Sequence, residues 1–207
     1  VKDLSNSTGV TYHDGDLYFS EVSAIWKISD IDKRLLNTNS ALKKELVTNN
    51  LPSDTWHGWK WIDFGPDNKL YVPVGAPCNI CNPSMEAKYN FDKRYASIMR
   101  LNGGEWEHVA RGVRNTVGFD WHPKTNNLYF GDNGRDWMGD DMPACELNVV
   151  NENDSFYGYP YKHAMNVPDP EYSKKIPNDL EEFIDPILEL GAHVAPTGLS
   201  FYDGDLF

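Results

Sequence analysis

The chain contains no run of about 18 apolar residues, so no membrane-spanning helix is expected. No leader pattern opens it, a feature that a mature secreted chain or a partial one would equally lack. Basic residues are in deficit. Nineteen Lys and Arg face 31 Asp and Glu, for a formal net charge of −12, so a nucleic-acid backbone or an anionic membrane would be repelled over most of the surface. Neutral or cationic ligands fit better. No GxSxG elbow, Walker loop, HExxH helix or Rossmann fingerprint is present, which leaves those chemistries without support. No Ser/Gly linker or low-complexity tract divides the 207 residues, so residues 1–207 are expected to form one domain with a sizeable core.

Cysteine is scarce as well: there are three. Cys78 and Cys81 lie together in GAPCNICNP and Cys145 stands apart. A lone CxxC has three readings. Half of a zinc site would need a second ligand pair, which the sequence does not supply. A thioredoxin-like pair needs a strand-to-helix setting rather than a strand followed by a Pro-Ser loop. A disulfide that staples a loop is the favoured reading, and it implies an oxidising compartment. Asn6-Ser7-Thr8 and Asn153-Asp154-Ser155 are acceptor sequons that matter only in a secreted eukaryotic chain.

What the chain has in quantity is aromatic and turn-forming residues: 7 Trp, 11 Tyr, 9 Phe, 16 Gly and 13 Pro, as strands and their reversals require. Four segments share one strand-turn-strand pattern: GVTYHDGDLYFS from Gly9, WIDFGPDNKLYVPV from Trp61, VGFDWHPKTNNLYFGD from Val117 and GLSFYDGDLF from Gly198. Alternation at Val10, Tyr12, Leu17 and Phe19 puts one face of each strand toward a core, and Asp-Gly or Pro-Asp-Asn makes the reversal. The leucines after the turns, Leu17, Leu70, Leu128 and Leu206, are 53, 58 and 78 residues apart. Recurrence on this scale points to propeller blades with long loops between them. The fold class expected is therefore all-β, a β-propeller of which this chain covers about three to four blades. Helix-like patterning is confined to Asp30–Leu46 and Asp179–Leu190.

Three places carry candidate chemistry. His57, in DTWHGWKW, precedes one repeat, where loops gather at a blade end, and can exchange a proton near neutral pH; packing between Trp56 and Trp59 is the plain alternative. Arg114 and Asn115 precede the next repeat in the same way, which would place all three near one mouth. There Arg offers a cationic fork for an oxyanion or carboxylate, and Asn offers both a donor and an acceptor. The loop DNGRDWMGDDMPACEL holds Asp132, Asp136, Asp140, Asp141 and Glu146. Its hard oxygens and two glycines suit Ca²⁺, although the EF-hand spacing is absent and a solvated acidic loop is the plain reading.

Together WHGWKWIDFGPDNKLYVPVGAPCNICNP, YASIMRLN, ARGVRNTVGFDWHPKTNNLYFGDNGRDWMGDD, ELN, FYGYP and HVAPTGLSFYDGDLF resemble the glucose/sorbosone dehydrogenase family, the soluble aldose dehydrogenases that depend on pyrroloquinoline quinone (PQQ). The resemblance runs from about Trp56 to the end. It implies a six-bladed propeller, in the periplasm or secreted, that carries PQQ and Ca²⁺ and oxidises an aldose or related hydroxyl or aldehyde substrate, with electrons passed on to an acceptor. It implies His57 as the general base that takes the hydroxyl proton while hydride passes to the quinone, and Arg114 as the cation beside the quinone carbonyl. Asn115, Asn133 and His193 would contact the cofactor. Gly134 and Arg135 would hold the cofactor's Ca²⁺ through their carbonyls, and Glu146, with the Tyr157 carbonyl, would bind a second, structural calcium. Trp56 stands where some relatives carry an acidic or polar residue, and Arg135 stands where Pro is common. The basic residues that neutralise the PQQ carboxylates in the family have no counterpart, so the remaining blades are expected on further sequence or another chain. A non-catalytic propeller that binds a glycan or protein and a calcium-dependent lactonase are the competing functions, which fold alone does not separate.

Overall fold

The dipeptide Asp14-Gly15 fixes the first reversal. Both residues have positive φ, 50° and 87°, as a two-residue type I′ turn requires, and Val10–His13 (β1) pairs antiparallel with Asp16–Ser20 (β2), His13 opposite Asp16. In this computed structural model, which describes residues 4–36, 42–180 and 182–206, the chain continues through Ile25–Ile28 (β3), the short helix Ile31–Leu35 (α1) and Glu45–Thr48 (β4). Next come Asp63–Phe64 (β5), Leu70–Val74 (β6), Ser97–Asn102 (β7) and Glu105–Arg111 (β8). Phe119–Trp121 (β9), Leu128–Asp132 (β10) and Ala144–Val150 (β11) follow, and then Ser155–Phe156 (β12), Lys162–His163 (β13), Val167–Pro168 (β14) and Leu188–Ala192 (β15).

These strands form three successive blades. The sheet orders are β1-β2-β3-β4, β5-β6-β7-β8 with β12 added parallel outside β8, and β9-β10-β11-β15. Within each blade the four strands are antiparallel, and β13 and β14 make a separate small hairpin. The blades pack face to face. Ile25 of the first meets Leu70, Val72, Val74 and Met99 of the second in one buried cluster. Ile98 and Val109 of the second meet Phe119, Leu128 and Phe130 of the third in another. All five residues of β6 are buried, because a middle blade is covered on both faces.

Three of the four repeats form the hairpins that their patterns predict. The fourth does not: among the described residues, Gly198–Leu206 contains no strand. Its Phe201 N–H bonds the Asp120 carboxylate at 2.7 Å, and its Leu206 N–H bonds the Tyr202 hydroxyl, so its donors are engaged outside a ladder; Phe207 lies outside the described residues. The helix-like patches also shrink. In Asp30–Leu46 only Ile31–Leu35 is helical; residues 37–41 lie outside the described residues, and Glu45 and Leu46 begin the outer strand of blade one. In Asp179–Leu190 the described residues hold no helix, and Leu188–Ala192 closes blade three against β11. No helix among the described residues is long and apolar enough to cross a membrane.

Lys60 lies at the seam between blades one and two. Its ammonium, buried at 2% exposure, bonds the Gly58 carbonyl at 2.8 Å, and among the described residues no carboxylate lies within ion-pair distance. Burial pushes its pKa down to about 8 from 10.5. The unfolded chain therefore holds a proton that the native chain has shed between those two pH values, so this group makes stability rise with pH across that window. Lys60→Met removes the dependence. Urea unfolding should show wild type gaining on the variant by up to roughly 3 kcal/mol between pH 8 and 10.5; parallel curves would contradict the assignment.

Candidate active site

The antiparallel registers bring the predicted residues to one end. β5 and β9 begin at the end where β6, β10 and β15 finish, as the pairs Asp63↔Tyr71, Phe119↔Phe130 and Ala144↔Ala192 require. His57, Arg114, Asn115, the loop after Asp132 and His193 thus all lie on the same rim.

One residue, Ala76, joins the first two. The Ala76 N–H donates to the Arg114 carbonyl at 2.8 Å, and the Ala76 carbonyl accepts from His57 Nδ1 at 2.7 Å. A carbonyl only accepts, so Nδ1 carries the proton and a neutral His57 leaves Nε2 as a free acceptor. Burial, with the Arg114 charge beside it, lowers the His57 pKa to about 4, which keeps the ring neutral near pH 7. His57 also has a left-handed φ of 49°, an uncommon conformation for a residue with a side chain and one that concentrates at functional sites. Gly75 makes this approach possible. A Cβ there would lie 2.6 Å from the His57 Cβ and 3.2 Å from the Asn115 Oδ1.

Arg114 is buried, and its guanidinium makes four hydrogen bonds. Its Nε and Nη2 donate to Asn79 O and Oδ1, and its Nη1 reaches both Asn133 O and Gly134 O, at 3.0 and 2.9 Å. Beneath it, the Asp132 carboxylate accepts the backbone N–H groups of Arg114 and Asn115. Asn115 reaches a pocket of about 520 Å³ that is also lined by Trp56, His57, Trp59, Val117 and Thr197. Trp56 and Trp59 are exposed at its edge.

The remaining candidates separate. Arg135 turns its side chain away from the pocket into a buried ion pair with Asp169 at 2.6 Å, with Glu171 at 3.1 Å, while His163 Nε2 lies 3.0 Å from the same Asp169 oxygen. Glu146 is buried opposite Asp132 on the neighbouring strand and accepts from the Ala164 N–H and the Asn148 amide. Burial raises the affinity of both carboxylates for a proton, and at Glu146 the Asp132 charge adds to the rise. Tyr157 belongs to the core, its hydroxyl on Val149 O and its ring against Phe130. His193 bonds Gly139 O through Nε2 and does not line the pocket. Cys78 and Cys81 form the expected disulfide, and Cys145 is free and buried.

Two features suit hard cations. The Asn133 and Gly134 carbonyls converge on one positively charged nitrogen, and the Asn133 side-chain oxygen is buried without a partner. The Asn148 side-chain oxygen beside Glu146 is likewise buried and unpartnered. Among the described residues no cluster of three or more His, Cys, Asp or Glu side chains is preformed for a metal, so a cation at either place would rely on carbonyl and amide oxygens, as Ca²⁺ permits.

No motif marks Asn79 or Asp169, both of which contact predicted residues. Asn79 stands between the two cysteines, a position that the staple reading alone would have drawn attention to. Asp169 is 34 residues from its partner Arg135.

Stacked four-stranded blades with an imidazole, a guanidinium and a turn of carbonyls on one shared rim define a β-propeller with a loop-built site at its mouth. The chain belongs to the glucose/sorbosone dehydrogenase family, whose model matches residues 25–207. It is 35% identical over 216 residues to an uncharacterized protein of Borreliella burgdorferi, a match that takes in the whole of this chain and 55% of that protein. Among solved structures, the holo form of the pyranose dehydrogenase PQQ domain from Coprinopsis cinerea superposes with a TM-score of 0.72 at 16% identity, over 99% of this chain and 59% of that one. The apo form of the soluble aldose sugar dehydrogenase of Escherichia coli does so at 0.63 and 19%, over 93% and 58%. The chain thus spans little more than half the length of each, and these structural likenesses speak to the fold.

Proposed function

We propose that this chain carries the base and cation of a PQQ- and calcium-dependent dehydrogenase that oxidises an aldose or a related hydroxyl or aldehyde substrate. The observation that carries the reading is Ala76, whose carbonyl holds the His57 ring and whose N–H holds the Arg114 backbone, so that a neutral imidazole and the residue bearing a buried guanidinium share a single rim. The family membership supports a sugar oxidoreductase, and the likeness to the holo pyranose dehydrogenase PQQ domain of Coprinopsis cinerea supports the choice of cofactor.

His57 Nε2 takes the proton of the reacting hydroxyl, and its Nδ1–H, anchored on Ala76 O, fixes the ring and the tautomer. Arg114 supplies positive charge where negative charge develops, held in place by carbonyls so that little reorganisation is needed. Asn115 offers a donor and an acceptor at the pocket wall, and Trp56 and Trp59 present apolar faces to a sugar ring. The Asn133 side chain and the carbonyls of Asn133, Gly134 and Arg135 are the residues that would hold Ca²⁺ and the cofactor, with His193 on the outer side of that loop. Glu146, beside the unpartnered Asn148 oxygen, would hold a second calcium, with the Tyr157 carbonyl. When bound, PQQ supplies a two-electron acceptor polarised by its calcium. A separate electron acceptor then takes the electrons, and the Cys78–Cys81 disulfide supports a periplasmic or secreted setting.

Because His57 titrates near 4, kcat/KM of the full-length protein, loaded with PQQ and Ca²⁺, is expected to hold constant from neutral pH down to about 5 and to fall with an acid limb near 4. A limb near 6.5 would mean that the base is not this histidine. The reading itself is tested by supplying PQQ and Ca²⁺ to the full-length protein and following dye reduction by a panel of aldoses. Quinone-dependent reduction is expected; metal-dependent lactone hydrolysis without quinone, or inactivity toward every aldose and aldehyde, would overturn it.

A further inference from the structure

Asn79 makes four hydrogen bonds to the rim. Its side-chain oxygen accepts from Arg114 Nη2 at 2.8 Å and from the Asp136 N–H at 2.9 Å. Its Nδ2 donates to the Asp136 carbonyl at 3.1 Å, and its own carbonyl accepts from Arg114 Nε at 2.9 Å. This set fixes the amide orientation: turned over, the NH₂ group would face two donors. Aspartate would lose the donor to Asp136 O, and alanine would lose three of the four bonds.

The residue is held as firmly as it holds. Its neighbour Cys78 and Cys81 close a ring around it through their disulfide. The Tyr159 hydroxyl accepts the Cys81 N–H at 3.0 Å and lies 3.3 Å from the Cys78 sulfur. Asn82 is tied to the Tyr161 hydroxyl at 2.6 Å. A short chain closed at both ends and anchored by two buried tyrosines has few alternative conformations, so the Asn79 amide is presented in one place. Arg114 lies on one side of that amide and the Asp136 peptide on the other. Asn79 therefore sets the distance between the guanidinium and the loop whose carbonyls it also contacts.

We propose that Asn79, fixed by the Cys78–Cys81 ring, is a positioning residue that holds the Arg114 guanidinium and the Gly134–Asp136 turn in place beside the pocket that His57 and Asn115 line. It touches no reacting atom and acts through Arg114. The catalytic consequence rests on the function proposed above; the positional one does not.

The two are separable by experiment. In the full-length protein without cofactor, the His57 ring is titrated by NMR. Burial and the nearby Arg114 charge hold its pKa down, and the bond to the Ala76 carbonyl and then Asp136 oppose them more weakly. Asn79→Ala, by releasing Arg114, is expected to raise the His57 pKa toward 6.5, with burial retaining part of the depression. In the loaded enzyme the same variant should lose kcat on the order of 10²-fold with KM changed little, the scale expected of misplacement near the chemistry. A residue that only stabilises the loop would lower the melting temperature and leave the His57 titration where it was; that result overturns the proposal. Should Asn79→Ala fail to fold, the double variant Cys78→Ser/Cys81→Ser opens the ring with Asn79 retained. An upward shift of the His57 pKa supports the proposal, and an unchanged titration overturns it. Should the titration move while the loaded protein shows no aldose oxidation, the positioning stands and the proposed function falls.

Discussion

Replacing His57 by asparagine is expected to lower kcat/KM of the full-length, cofactor-loaded protein by about 10²–10⁴-fold, the range that a positioned general base contributes. Asparagine is the informative substitution. It tolerates the left-handed φ of 49° at this position, and its amide keeps a donor for the Ala76 carbonyl, so the fold is expected to survive while the proton acceptor is lost. Steady-state kinetics with an aldose, beside a denaturant midpoint for the same sample, separates the two effects. A folded variant with activity within twofold of wild type would remove His57 from the chemistry.

The second large effect concerns stability. Asp169→Ala leaves the Arg135 guanidinium, 3% exposed, with the half-exposed Glu171 as its remaining ion-pair partner among the described residues, and also removes the acceptor for the Glu171 and Tyr172 N–H groups and the partner of His163. Breaking one side of a buried pair costs about 3–5 kcal/mol, because a charge is stranded away from water. Urea unfolding at pH 7 should register that loss. The pH dependence follows with a definite sign. Burial pushes the Asp169 carboxyl up, but bonds from His163 and Arg135 outweigh it and hold the pKa at about 2, below the ordinary 3.8. The contribution is therefore complete above about pH 4 and disappears as pH falls through 2. The gap between wild type and Asp169→Asn should close over that same interval. A gap that persists undiminished at pH 2 would show that packing, not charge, makes the difference.

Much of the candidate site's placement was legible because a propeller converts position relative to a repeat into position in space. His57 and Arg114 each stand a few residues before the inner strand of a blade, so both had to emerge at the same end once the hairpins at Leu17, Leu70 and Leu128 were recognised. The Asp-Gly turn of the first hairpin and the core positions Leu17 and Phe19 followed from local patterning, whereas Val10 and Tyr12, expected to face the core as well, are exposed. The fourth hairpin misled because the same local pattern, FYDGDLF, reads as strand-turn-strand whether or not a ladder forms around it. Here Asp120 takes the Phe201 N–H and the Tyr202 hydroxyl takes the Leu206 N–H. The Asp179–Leu190 patch misled differently: an apolar spacing compatible with a helix met the open edge of β11, and pairing at that edge decided the outcome.

What stayed hidden was long-range. Nothing along the chain links Arg135 to Asp169, or Asn79 to Arg114, because contacts 34 and 35 residues apart leave no periodicity. The reading of Arg135 as a source of a backbone carbonyl left its guanidinium unassigned. The structure gives that side chain a separate duty, anchoring the loop on which the carbonyl lies. Gly75, too, acquires meaning only when the His57 Cβ is found where its own side chain would be.

The central claim is that His57, Arg114 and the Asn133–Arg135 turn face one ligand. A crystal structure of the full-length protein soaked with PQQ and Ca²⁺ tests it most directly. The account predicts quinone density at the rim within hydrogen-bonding distance of Arg114 and Asn115, with His57 Nε2 facing the space beside it and calcium on the carbonyls of the turn. Quinone bound elsewhere on the propeller, or His57 and Arg114 pointing to opposite sides of it, would contradict the account.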